Sequence, residues 1–218
     1  MRSCFSLTVA ADLDHFTLLS TLLEIQVYYF IPLPGYSEDI LKRNVLKCYT
    51  TAEAVIRQAT QLQRERAFLH YAPHFIFRHL LLATCVILSV HFSSYTKGFQ
   101  ADSMDELVKE AIRCMRTCSV QGNDLHTRGP NMVENFWNMR ERLPRTTFAD
   151  MGVSMFTHRL GASLAFDCLR RWKKDVEAAR AMDLNPPAVN QAGPGTGPES
   201  IRTYIPFKLT PRILYLAG

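Results

Sequence analysis

Residue types able to do chemistry are present, so their spacing decides what they imply. Cys114 and Cys118 lie four apart, and His70, His74 and His79 sit close together. A structural zinc site needs four ligands converging as a tetrahedron, commonly from C-x2-4-C pairs. Nothing in the sequence pairs with Cys114 and Cys118, and both fall on or beside an apolar helix face, where free cysteine is common. Pro73 interrupts any helical relation between His70 and His74. The pattern therefore favours core and surface residues over metal ligands, and no metal or cofactor is expected.

A second candidate is Asn123-Asp124-x-x-Thr127. It resembles the opening of the Asn/Ser/Glu triad with which all-α terpene synthases hold magnesium. The glutamate expected four residues after the threonine is replaced by Asn131, and Ser37-Glu38-Asp39-Ile40 is no substitute for the aspartate-rich partner motif. Magnesium prefers several carboxylate oxygens, whereas Gly122-Asn123-Asp124 is turn chemistry. There is also no G-x-S-x-G, no phosphate-binding P-loop and no G-x-G-x-x-G. No residue is assigned a catalytic, cofactor-binding, metal-ligating or nucleic-acid-contacting role, and the chain is read as a non-enzyme.

The third candidate is the basic run Arg170-Arg171-Trp172-Lys173-Lys174. Asp175 and Glu177 follow it, so Arg171 reaches Asp175 at i+4, and Lys173 or Lys174 reaches Glu177. Such pairs lace an exposed helix face and are worth roughly 0.2–0.5 kcal/mol each. Trp172 continues the stripe Phe156, Leu160, Leu164, Cys168 and is expected to pack inward. The solvated-face reading is favoured over nucleic-acid contact, since one short cluster neutralises few phosphates. A nuclear-import role stays open beside it.

These residues need elements to position them, and the chain reads as all-α. From Leu41 the apolar residues Val45, Cys48, Ala52, Val55, Ala59 and Leu62 follow at spacings of 4, 3, 4, 3, 4, 3. That is one stripe along a helix, widened by Ile40, Tyr49 and Ile56. Ser37, Glu38 and Asp39 supply an N-cap and an acidic first turn. A helix is expected over 12–30, another from Pro73 to about Ser93, and another over about 102–119. The helix from Pro73 is apolar nearly all round from Leu80 onward, as a central core helix would be. The 102–119 helix should bury Met104, Leu107, Val108, Ala111, Ile112, Met115 and Cys118. Gly122-Asn-Asp and Arg128-Gly-Pro130 punctuate a loop before a short helix over 132–142, and a long helix is expected over about 148–182. Residues 1–13 form an N-terminal segment and 14–183 the helical domain. Residues 184–218 form a Pro/Gly-rich, disordered linker and an unassigned tail.

Composition narrows the classes further. Across 218 residues, 47% are hydrophobic and 21% charged, with a net charge of +5 spread along the chain. That is ordinary for a globular protein and no electrostatic footprint for nucleic acid. The longest apolar run, Leu80 to Val90, is about half of the roughly 20 residues of a membrane span. The N-terminus lacks signal-peptide character. A soluble intracellular protein with reduced cysteines and no membrane partner is the expectation.

Three segments in order carry a family resemblance: YAPHFIFRHLLLA from Tyr71 to Ala83, SVQGNDLHTR from Ser119 to Arg128 closing in Phe136-Trp137, and RLGASLAFDCLRRW from Arg159 to Trp172. Together they resemble the C-terminal part of the regulatory region of fungal zinc-binuclear-cluster transcription regulators, the subgroup similar to the leucine-biosynthesis regulator. The resemblance covers about Asp14 to Arg180. It departs in that none of the six cysteines (4, 48, 85, 114, 118, 168) follows the family's repeated C-x2-C-x6-C. His126 stands where the family usually has proline, and no acidic activation tail follows. The resemblance implies a truncated or partial regulator acting in RNA polymerase II transcription through protein contacts or effector sensing. It implies action in the nucleus, with the cytoplasm open to a truncated chain. Self-association or pairing with a full-length regulator would follow, with DNA reached through a domain outside this chain. A small all-α enzyme of the terpene-synthase type and an inactive gene relic are the alternatives.

Overall fold

The computed structural model describes residues 2–30, 37–93, 101–119 and 124–141, together with 173, 174, 177 and 178. The expected 148–182 helix (those four residues aside), the Pro32–Gly35 break and the 184–218 tail lie outside the described residues. Five α-helices and no strands are found among the described residues, as the all-α reading requires: α1 (Arg2–Gln26), α2 (Glu38–Arg66), α3 (His74–His91), α4 (Ala101–Thr117) and α5 (Leu125–Asn138). Short 3₁₀ turns follow α1 at Val27–Phe30 and α2 at Phe68–Tyr71.

The α2 boundaries follow from its caps. The Ser37 hydroxyl accepts from the Ile40 N–H, while Glu38 and Asp39 face the positive end of the helix dipole. At the far end Ala67 adopts a left-handed conformation, φ 52°, and its N–H donates to the Gln63 carbonyl. The Gln63 Oε1 then accepts from the Leu69 N–H at 2.8 Å, steering the chain into the turn before α3. Of the expected stripe, Val45 through Leu62 is buried and Leu41 half-buried. Ile40, expected to widen the stripe, instead lies outward at 38% exposure. It occupies the first turn, before α2 enters the core.

α3 is the innermost element. Ile76, Phe77, Leu80 and every residue from Leu82 to Val90 are buried. Thr84 and Ser89 tolerate this because their hydroxyls donate to the carbonyls of Leu80 and Cys85, each at 2.7 Å. By length and composition α3 could cross a membrane, but two-thirds of it is buried inside the protein. α2 and α4 pack against it, α1 packs mainly on α2, and α5 packs mainly on α4 while also touching α3. The α4 face expected from the sequence is buried throughout, and Cys114 joins it. Each fully buried aliphatic or aromatic side chain contributes about 1.5–3 kcal/mol of burial free energy.

α5 departs from expectation. It starts at Leu125, seven residues before the expected short helix, and runs through Gly129 and Pro130. Asp124 is the reason: it N-caps the helix, its carboxylate accepting from the Thr127 N–H at 2.7 Å. Pro130 lacks the N–H that would pair with the His126 carbonyl, so the cap and the packing of Gly129 on Phe77 hold this stretch helical.

Candidate functional site

Polar side chains gather where the N-termini of α3 and α5 meet. Pro73 N-caps α3 and leaves His74 as its first residue, while Asp124 places His126 in the first turn of α5. His74 Nδ1 and His126 Nε2 face each other at 3.1 Å. On the other side of its ring, His126 Nδ1 lies 3.4 Å from Asp124 Oδ2. The second carboxylate oxygen, Asp124 Oδ1, accepts from the Ser119 hydroxyl at 3.0 Å and from the Thr127 hydroxyl at 2.9 Å, besides the Thr127 N–H. Ser119 follows the last turn of α4, so one carboxylate ties α4 to the start of α5.

Beneath the histidines lies Phe77, buried, with the His74 ring stacked on it at 5.9 Å and the His126 ring edge-on at 4.4 Å. Gly129 allows this approach. A Cβ there would stand 3.0 Å from Phe77 Cζ. The His74 imidazole is held below its ordinary pKa, first by losing water on its packed side, then by the charges of His126 and Arg78.

The residues weighed as metal ligands are not brought together. His70 lies beside the Tyr71 ring, His74 faces His126, and His79 Nε2 pairs with Glu24 Oε1 at 3.0 Å. Cys114 and Cys118 are buried in the core, Cys114 Sγ lying 3.4 Å from Thr60 Oγ1 and Cys118 Sγ donating to the Cys114 carbonyl at 3.4 Å. Burial raises the Cys114 thiol and pushes Cys118 up to about 12. Among the described residues no group of three His, Cys, Asp or Glu side chains is arranged to hold a metal ion. Asp124, weighed for magnesium, spends Oδ1 on capping. Asn131, standing at the glutamate position, accepts instead from Arg116 Nη2 at 2.9 Å.

The basic run is partly described. Lys173, Lys174 and Glu177 are helical and exposed, and Lys173 Nζ lies 3.8 Å from Glu177 Oε1, as the i+4 reading expects. Arg170, Arg171, Trp172 and Asp175 lie outside the described residues.

A second polar junction closes the α4–α5 seam. Asp105 Oδ1 accepts from Trp137 Nε1 at 2.6 Å, Lys109 Nζ lies 2.6 Å from Oδ2, and the Arg140 guanidinium covers the indole at 4.8 Å. His91, ending α3, places its ring 4.7 Å from that of Trp137. Sequence spacing carries no signal for the Asp105–Trp137 pair, whose members are 32 residues apart.

No protein-family model, curated protein or solved structure matches the chain.

The outer surface adds one feature. Leu18, Leu22 and Ile25 follow at spacings of four and three, and all are exposed, Leu18 at 65% and Ile25 at 60%. Tyr28 extends the stripe into the following turn. Helix α1 is therefore apolar on two faces: Phe16 and Leu23 enter the core and the stripe faces out.

Proposed function

We propose that the chain is the helical regulatory region of a transcription regulator of the fungal zinc-binuclear-cluster kind, acting through protein contacts. The observation that carries the contact role is the outer stripe of α1. An exposed row of Leu18, Leu22, Ile25 and Tyr28 has the spacing by which an amphipathic helix meets a protein surface. The family part of the reading rests on the three sequence segments. Two of them, remote in sequence, pack on each other: His74 and Phe77 from the first meet His126 from the second, with Gly129 just beyond it.

The test is a transcription reporter. The full chain is fused to a heterologous DNA-binding domain and reporter output is measured in yeast. Output should change, and a Leu18→Asp/Ile25→Asp double variant, checked for an unaltered melting curve, should abolish the change. A reporter indifferent to the fusion overturns the proposal. So does sequence-specific binding of a zinc-cluster DNA site by the unfused chain at physiological salt. Magnesium-dependent turnover of a prenyl diphosphate, lost in Asp124→Ala, would establish the enzyme reading in its place.

A further inference from the structure

The facing nitrogens of His74 and His126 set a protonation condition on the joint between α3 and α5. At 3.1 Å the two can share one hydrogen, whichever ring donates it. When both rings are charged, each nitrogen carries a hydrogen and the contact becomes a clash of two donors on two cations. Each ring also sits in the first turn of its helix, where the dipole disfavours positive charge. His74 is exposed and His126 half-buried, and both rings rest on the buried Phe77, so turning one ring away gives up a contact across the joint.

We propose that the His74–His126 pair is a pH-sensitive clasp, closing the α3–α5 joint while the pair holds at most one positive charge and loosening it when both rings are protonated. The charged groups bearing on it, among the described residues, are Asp124 from the α5 cap, 3.4 Å from His126 Nδ1, and Arg78 one turn along α3. From α4 the uncharged Ser119 hydroxyl reaches Asp124. Arg78 and the facing His126 ring both oppose a proton on His74. The His74 imidazole is accordingly held below its ordinary value, burial of its packed side contributing most. The sign is definite: a histidine whose folded value lies below its unfolded one contributes stability fully present above about pH 6.5 and lost as pH falls through the folded value. Because it concerns the joint and not the contacts of α1, the clasp stands apart from the transcriptional reading.

The experiment is an NMR titration of the histidine Cε1–H signals of the full chain from pH 8 to 5, paired with melting temperatures over the same range. His74 should titrate below about 6.5, and the melting temperature should fall as it does. His126→Gln, which keeps a neutral hydrogen-bonding group, should remove roughly 2–4 °C of that fall. His74→Asn should act the same way, guarding against a variant that merely packs badly. A His74 midpoint at or above the ordinary value, or identical pH slopes for wild type and both variants, overturns the clasp.

Discussion

The indole Nε1 of Trp137 on α5 donates to the Asp105 carboxylate on α4 across 2.6 Å, burying the ring and leaving the acid at the seam between the two helices. Lys109 occupies the other carboxylate oxygen and, with the indole, holds Asp105 below the usual carboxylate range. Removing the acid leaves a buried N–H unanswered. Asp105→Ala should therefore cost about 1–3 kcal/mol at neutral pH, measured by urea unfolding.

The same pair predicts an acid dependence. A carboxyl depressed in the folded state contributes stability that is present above its unfolded value near 3.9 and lost as pH falls through the lower folded value. Melting curves from pH 5 to pH 2.5 should thus drop less steeply for Asp105→Asn than for the wild type. Parallel curves would show that the junction does not titrate with folding.

Gly129 offers a test of sign. Alanine gains about 1 kcal/mol of helix propensity there, yet its Cβ would press on Phe77 Cζ at 3.0 Å. Phe77 is 1% exposed and has little room to yield, and overpacking of this kind costs roughly 1–3 kcal/mol. Gly129→Ala should come out near neutral and Gly129→Val clearly destabilised, by about 2 kcal/mol. A stabilised valine variant would mean that the ring moves freely.

Asp124 should behave as a cap. Asp124→Ala is expected to lose about 0.5–2 kcal/mol of stability, while Asp124→Asn, an equally good N-cap, should lose much less. Added magnesium should alter neither melting curve, since the oxygen that caps α5 is already engaged by three donors. A magnesium-dependent shift in the wild type alone would contradict the assignment.

The buried thiols give a chemical readout. Cys48 and Cys118 are pushed up to about 12 by burial, and Cys85 and Cys114 are buried with them. Burial keeps the first two thiols protonated at pH 8, so alkylation must wait for unfolding. Mass spectrometry after brief iodoacetamide treatment should find these four unmodified in the native chain and modified in urea. Rapid native labelling of Cys118 would show that α4 opens locally.

What could be read from the sequence was what repeats locally. The Val45–Leu62 stripe, the all-round apolar character from Leu80 and the Met104–Cys118 face each depend on helix geometry within one segment, and each is buried as that geometry requires. α5 starts ahead of the residues its sequence suggests, because Gly129-Pro130 is a strong turn signal while the competing signal, an aspartate three residues before Thr127, is short. The cap and the Phe77 contact outweigh the breaker. His126 stood out only as a departure from a family pattern. Its partner His74 lies 52 residues away, and no periodicity links positions joined by the docking of two helices. The same holds for Trp137 and Asp105.

The enclosure of α3 has a bearing on how this protein fails. Its 18 residues have a mean hydropathy of 1.5, and in a chain that opens they become a sticky ribbon attractive to chaperones, to lipid and to other copies of itself. Damage to any neighbouring helix is then felt less as a small loss of order than as a loss of yield. The soluble fraction recovered from cells is thus a gauge of how well the surrounding helices keep that ribbon wrapped.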